Sequence, residues 1–129
     1  MKSFLTTVIM GVCLITLTAS TPPDDRIFET IDCKLKEGKT IDDVHAANSK
    51  WVEFMNANVE GGDIRSFVLT PQVGDIKEGR FMYIDSFPNL ESWAARDKAA
   101  ETEAFKAIRA GLQAVAACSK SGLYKSRES

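Results

Sequence analysis

The chain has 129 residues, of which 44% are hydrophobic and 26% charged, and its 16 Lys and Arg against 18 Asp and Glu give a net charge of −2. This length suits one domain with its own hydrophobic core. The mild acidic balance gives no electrostatic reason to approach nucleic acid or an anionic membrane surface, so we expect neither as a partner.

The first twenty residues have the layout of a secretory signal peptide. Lys2 supplies a positive start, residues 4–17 form an apolar run, and the small residues Thr18-Ala19-Ser20 follow. The apolar run is shorter than the ~20 residues that a bilayer-spanning helix needs. The pattern therefore predicts a cleaved leader rather than a membrane anchor.

These features predict the organisation of the whole chain. We expect a signal peptide over residues 1–20, a linker over 21–26, a single α+β domain over 27–125 and a tail over 126–129. The predicted location is periplasmic or secreted, with no membrane association after the leader is cleaved.

Three cysteines occur, and Cys13 lies inside the leader, which leaves Cys33 and Cys118. In an oxidising compartment an even pair of cysteines favours a disulfide. Metal ligation and a redox-active dithiol are the alternatives, but the chain has no C-x-x-C motif and a single His. We predict a disulfide between the beginning and the end of the domain, and no metal site.

The first predicted elements are a strand and a helix. Apolar residues alternate over Ile27–Leu35, which predicts a strand with one mainly apolar face. Thr40 followed by two aspartates is typical of a helix start. An apolar stripe at three- and four-residue spacing reaches Phe54, and the helix should end near Asn58 because Gly61-Gly62 follows.

Two strands, a helical region and a last strand follow. The second strand is predicted over residues 64–70 and the third over Arg80–Phe87. The third has apolar residues on both faces, which indicates a central strand covered on both sides. Pro88-Asn89 opens a second helical region, which is rich in strong helix formers over 99–117. A short last strand is predicted within 120–125.

The predicted order is strand, helix, strand, strand, helix, strand. This order indicates the ferredoxin-like α+β fold, a four-stranded antiparallel sheet with helices on one face. The first and last strands are neighbours in that topology, which brings Cys33 close to Cys118. The disulfide prediction and the fold prediction rest on different residues and agree.

The passage from the third strand into the second helix, over residues 81–93, reads FMYIDSFPNLESW. It resembles the dimeric α+β barrel superfamily, which includes antibiotic-biosynthesis-monooxygenase-like and stress-responsive barrel proteins, because an aromatic-rich strand leads into a short helix that carries an aromatic residue. The resemblance implies a homodimer whose two sheets pack face to face across a two-fold axis. It also implies a choice among cofactor-free monooxygenases, haem-degrading enzymes, polyketide cyclases and plain binding proteins.

Three residues are candidate catalytic groups: His45, Tyr83 and Asp85. His45 is the only histidine and could be a general base or a haem ligand, but we favour a half-exposed helix residue. Asp85 shares a strand face with Tyr83 and is expensive to bury unless it is paired, for which Arg65 on the second strand is a possible partner. In the functional interpretation the Asp85 carboxyl is a base with a raised pKa. We favour the alternative in which Asp85 lies at the strand end, where it faces water or caps the turn at Pro88-Asn89.

Bulky apolar side chains on two helices could wall a ligand pocket, although such residues more often belong to the core. The candidate ligand-binding residues are Trp51, Phe54 and Met55 on the first helix, Trp93 on the second, and Arg65. We predict an exported protein that binds a small apolar or aromatic molecule and uses no cofactor. A cofactor-independent monooxygenase- or cyclase-type enzyme and a structural or interaction module are the alternatives.

Overall fold

The computed structural model describes residues 25–129, so the predicted signal peptide lies outside the described residues, as does most of the predicted linker. The elements in chain order are β1 (Ile27–Leu35), α1 (Ile41–Asn58), β2 (Arg65–Leu69), β3 (Arg80–Phe87), α2 (Leu90–Ala100), α3 (Glu103–Val115) and β4 (Ala116–Lys125). The strands form one sheet in the order β2-β3-β1-β4, and every neighbouring pair is antiparallel. The predicted ferredoxin-like α+β fold is confirmed.

The helices cover one face of the sheet. Alternate residues of the two central strands are buried beneath them, among them Cys33 on β1 and Phe81 and Phe87 on β3. The alternating residues on the other face, such as Met82 and Ile84, are only partly buried. Within residues 25–129, β3 is therefore covered on one side, and the apolar residues on its second face lie on an open sheet surface.

Helix α1 begins with a capping box. Thr40 caps it reciprocally: the Asp43 backbone N–H donates to Thr40 Oγ1 at 3.3 Å, and the Thr40 N–H donates to the Asp43 carboxylate at 2.9 Å. This capping box fixes where the helix starts and hence which residues meet the sheet. Asn48 and Trp51 are among the buried residues of α1.

The second helical region differs from the prediction. The residues 99–117 are divided among α2, α3 and β4, and β4 begins at Ala116, earlier than the predicted Lys120. Pairing with β1 explains the early start, because Ala116 lies opposite Leu35 and extends the ladder of strand hydrogen bonds. Helix propensity is a weak preference that such tertiary pairing overrides.

The predicted disulfide is present. Cys33 and Cys118 lie opposite each other on β1 and β4, with their Cα atoms 4.0 Å apart. The strand register shifts between Asp32 and Cys33, which marks a bulge beside the bond. The bond joins residues separated by 85 positions and so ties the first strand to the last.

Arg26, the last residue of the predicted linker, is buried against the end of the sheet with 4% of its surface exposed. Its Nε donates to Ser86 Oγ at 2.6 Å, and its Nη1 donates to the Asp63 carboxylate at 2.5 Å. Its Nη2 donates to the backbone oxygen of Asp63 at 2.6 Å. These bonds fasten the start of β1 to β3 and to the loop before β2.

None of the helices within residues 25–129 is both long enough and apolar enough to cross a membrane.

Candidate functional site

A cavity of about 320 Å³ lies between the helix-covered face of the sheet and helices α1 and α3. Apolar side chains from four elements contribute to its wall: Ile31 of β1, Trp51 of α1, Leu112 of α3 and Ala116 of β4. Its size and lining are typical of a site for a small organic molecule.

A chain of hydrogen bonds holds one carboxyl group at this cavity. Asn48 Nδ2 donates to Ser66 Oγ at 2.9 Å, and Ser66 Oγ donates to Asp85 Oδ1 at 2.5 Å. Because Asn48 already donates to the serine oxygen, the serine proton is directed to the carboxylate. The chain therefore orients Asp85, which lines the cavity and is only 4% exposed.

Burial changes the acidity of this carboxyl. Burial raises the pKa of Asp85 to about 6, and the hydrogen bond from Ser66 lowers it only in part. Desolvation disfavours the charged form of an acid, which explains the direction of the shift. A carboxyl with such a pKa can gain or lose a proton near neutral pH, as acid–base groups in functional sites do.

Tyr83 contributes a second polar atom. Its side chain lines the cavity and is buried, and its hydroxyl has no hydrogen-bond partner among the described residues. Burial, together with the charge of Asp85, raises the pKa of Tyr83 to about 12. The hydroxyl therefore keeps its proton, and leaving it unpaired costs roughly 1–3 kcal/mol.

Glu29 is the cross-strand neighbour of Asp85 and has a cationic partner of its own. It forms an ion pair with Arg96 of α2, and both side chains are largely buried. The Arg96 guanidinium also lies 5.3 Å from the centre of the Trp93 ring and 5.8 Å from that of Phe87. Its charge is thus engaged by Glu29, by Asp97 at 3.3 Å and by aromatic faces.

The structure brings three of the predicted site residues together. Trp51, Tyr83 and Asp85 all line the cavity. His45 lies exposed on α1 and is not among the residues that line the cavity. The favoured position for Asp85, at the strand end facing water, is wrong because the side chain is buried beneath α1.

Arg65 does not pair with Asp85. Strand pairing places Ser66 opposite Asp85, so the neighbouring Arg65 points to the other face of the sheet. There its side chain is exposed and pairs with Asp63 at 2.9 Å. Arg65 was expected to be the partner of Asp85, but the register between β2 and β3 places the next residue, Ser66, opposite it.

The other bulky residues on the helices lie in the core. Met55 is fully buried, and the Phe54 ring lies 5.3 Å from that of Phe105. Trp93 packs against the same core cluster, and its indole N–H is buried without a hydrogen-bond partner among the described residues. These three residues do not line the cavity.

The roles of Asn48 and Ser66 were not predicted from the sequence. Asn48 lies three residues before Trp51, so the two share a face of α1. Ser66 follows the exposed Arg65 on β2, and successive side chains of a strand point to opposite faces of the sheet, so Ser66 faces the helices. Both signals become informative only when the register between β2 and β3 is known.

No protein-family model matches the chain, and no curated protein matches it at a significant level. Solved structures do match. SnoaB, a cofactor-independent oxygenase from Streptomyces nogalater, is 15% identical with a TM-score of 0.57, over 81% of this chain and 96% of SnoaB.

Two further solved structures show the same likeness. A NIPSNAP family protein of unknown function from Agrobacterium tumefaciens is 14% identical with a TM-score of 0.59, over 82% of this chain and 93% of that protein. A candidate antibiotic biosynthesis monooxygenase from Caulobacter crescentus is 14% identical with a TM-score of 0.55, over 81% and 92%. At these identities the likeness establishes the shared fold, in agreement with the resemblance noted from residues 81–93.

Proposed function

We propose that this protein binds a small, largely apolar molecule in the cavity between the sheet and helices α1 and α3. One observation carries the proposal: an apolar cavity contains two buried polar groups, Tyr83 and Asp85, and the Tyr83 hydroxyl has no partner among the described residues. Ligand sites combine mostly apolar walls with a few such groups that fix orientation. A bound molecule would supply the hydrogen bond that the tyrosine lacks.

We propose further that a second copy of the chain covers the open face of the sheet. Phe67, Leu69 and Tyr124 are 48%, 43% and 58% exposed, and they surround a shallow depression together with Phe28 and Ile84. Contiguous apolar surface of this kind marks an interaction site on most soluble proteins. The pairing of sheets implied by the barrel resemblance would cover this surface in both copies.

The proposed setting is the periplasm or the extracellular space. The signal-peptide pattern of residues 1–20 and the disulfide between Cys33 and Cys118 support it independently. Disulfides persist in oxidising compartments and are rare in the cytosol.

A second candidate function is cofactor-independent catalysis on an aromatic substrate, of the monooxygenase or cyclase type. The buried carboxyl of Asp85 favours it, because a group with a pKa of about 6 can accept a proton from a weakly acidic substrate. The shared fold with SnoaB adds support by analogy only. Oxygen uptake with a panel of phenolic substrates, lost in Asp85→Asn, would distinguish catalysis from binding.

Tryptophan fluorescence of the purified disulfide-bonded protein tests the binding function. Aromatic and lipid-like molecules, haem included, are titrated into the native protein and into two matched variants. Trp51 lines the cavity and Trp93 does not, so Trp51→Phe should abolish a saturable signal that Trp93→Phe retains. Silence across the panel, or a signal that depends on Trp93 alone, would contradict the proposal and leave an interaction module as the remaining function.

A further inference from the structure

The cavity contains a buried carboxyl group without a cationic partner. Within residues 25–129, Asp85 forms no ion pair, and the atom that donates to it is the neutral hydroxyl of Ser66. Glu29 of β1 lies opposite Asp85 in the sheet, and Arg96 of α2 pairs with Glu29 and with Asp97. Helix α1 faces the carboxyl with the neutral amide of Asn48.

The remaining sides of the cavity are also uncharged. Helix α3 contributes Leu112 and Gln113, and β4 contributes Ala116 and the disulfide-bonded Cys118. On β3 the neighbouring titratable group is Tyr83, which stays protonated at neutral pH. An ionised carboxylate in these surroundings is expensive unless an opposite charge approaches it.

The polar atoms at the cavity are suited to a cation. The carboxylate of Asp85, the unpartnered hydroxyl oxygen of Tyr83 and the amide oxygen of Asn48 can all accept hydrogen bonds. An ammonium group has three donors and no acceptor, so it matches a set of oxygen acceptors. Trp51 adds an indole ring, the aromatic side chain that attracts cations most strongly.

From this arrangement we infer that the cavity takes an organic cation: an apolar body that carries a protonated amine, with the ammonium paired to Asp85. The inference rests on the proposed binding function and specifies its ligand class. Ile31 and Leu112 provide an apolar wall for the body of such a molecule. An anionic ligand would meet a like charge, and a neutral ligand would leave the carboxylate without a counter-charge.

Calorimetric titration with three matched probes tests the inference. The probes are 1-naphthylmethylamine, 1-naphthylmethanol and 1-naphthoate, which share one ring system and differ in charge. At pH 7.5 the native protein should bind the amine about tenfold or more tightly than the alcohol, and should bind the carboxylate most weakly. At pH 5 the preference for the amine should shrink, because protonation removes the negative charge of Asp85.

Variants assign the preference to one residue. Asp85→Asn keeps the shape and removes the charge, so it should abolish the preference for the amine, whereas Asp42→Asn removes an equal charge from the exposed start of α1 and should preserve it. Tyr83→Phe, which removes one acceptor, should weaken amine binding severalfold and serves as a second test should Asp85→Asn fail to fold.

The outcomes separate the ligand class from the binding function. Equal or tighter binding of the alcohol or the carboxylate would overturn the inference and leave the proposed function standing. Binding of none of the three probes, with silence across the fluorescence panel, would overturn both.

Discussion

Glu29 and Asp85 lie directly opposite each other on β1 and β3, and both side chains lie on the helix-covered face of the sheet. Glu29 is paired with Arg96, whereas Asp85 receives a hydrogen bond from the hydroxyl of Ser66. Two adjacent buried carboxyls therefore differ in their electrostatic environment. One belongs to a structural ion pair, and the other faces a cavity with a pKa raised to about 6.

The raised pKa of Asp85 predicts a specific dependence of stability on pH. The folded protein binds this proton more tightly than the unfolded chain, so its contribution to the free energy of unfolding falls as pH rises from about 4 to about 6. A shift from 3.8 to about 6 amounts to roughly 3 kcal/mol above that window. Asp85→Asn should therefore be more stable than the native protein at pH 8 and nearly equal to it at pH 4.

Urea unfolding at several pH values measures this difference. A gain in stability of the same size at every pH would mean that the substitution acts through packing and not through the carboxyl charge. If Asp85→Asn were no more stable than the native protein at pH 8, the result would contradict the burial of an unpaired carboxylate.

The two arginines that bind Asp63 should differ in their contribution to stability. Arg26 is buried and its guanidinium bonds to Asp63 and Ser86, so Arg26→Ala should cost about 1–3 kcal/mol by leaving the buried oxygens of Ser86 unpaired. Arg65 is exposed, and Arg65→Ala should cost less than about 1 kcal/mol. Urea unfolding measures the free energy of unfolding of both variants. Equal losses of stability would contradict a structural role for the buried guanidinium of Arg26.

The stabilisation that Asp63 gains from Arg26 and Arg65 depends on pH in the opposite direction to the effect of Asp85. Burial alone would raise the pKa of Asp63, but hydrogen bonds and charges from Arg26 and Arg65 outweigh it and lower the pKa below its usual value. The stabilisation is thus present above the pKa of an unfolded aspartate and is lost as pH falls through the folded value. The cost of Arg26→Ala should accordingly shrink in acid.

Reduction of the disulfide should destabilise the domain. Cys33 and Cys118 are separated by 85 positions, and closing a loop of this size stabilises by about 2–4 kcal/mol in most proteins. The double variant Cys33→Ala, Cys118→Ala should match the reduced native protein in urea. Two free thiols in the mass spectrum of native material would contradict the bond.

The open sheet face should control the oligomeric state. Phe67→Glu places a charge on the apolar patch and should convert a dimer into a monomer in sedimentation velocity. Val73, which is 90% exposed in the loop after β2 and is not among the residues of the patch, provides the control. Val73→Glu should remain dimeric, and a native protein that sediments as a monomer would contradict the proposed pairing.

Local signals in the sequence were sufficient to predict most elements. The alternation over Ile27–Leu35 and the capping residues at Thr40 act within a few positions, and both elements occur where they were predicted. The pairing of Cys33 with Cys118 was also predicted from the sequence, because they are the even pair left after the leader, and the ferredoxin-like element order independently makes β1 and β4 neighbours.

Non-local contacts account for the differences. The alanines at the start of β4 are strong helix formers, and only their pairing with β1 makes them strand. The site was predicted in part, since Trp51, Tyr83 and Asp85 were named, but the partner of Asp85 depends on the register between β2 and β3. That register decides between Arg65 and Ser66, and the two outcomes give the carboxyl opposite electrostatic environments.

Titration of the Asp85 carboxyl, followed by carbon NMR in the native protein, shows whether this group is buried beside a ligand cavity and lacks a cationic partner. If the carboxyl is buried at a ligand cavity without a cation, its midpoint should lie at about 6 in the free protein. Saturation with 1-naphthylmethylamine should lower that midpoint, because a nearby cation favours the charged form. A midpoint near 3.8, unchanged by the amine, would place Asp85 in water and contradict the account.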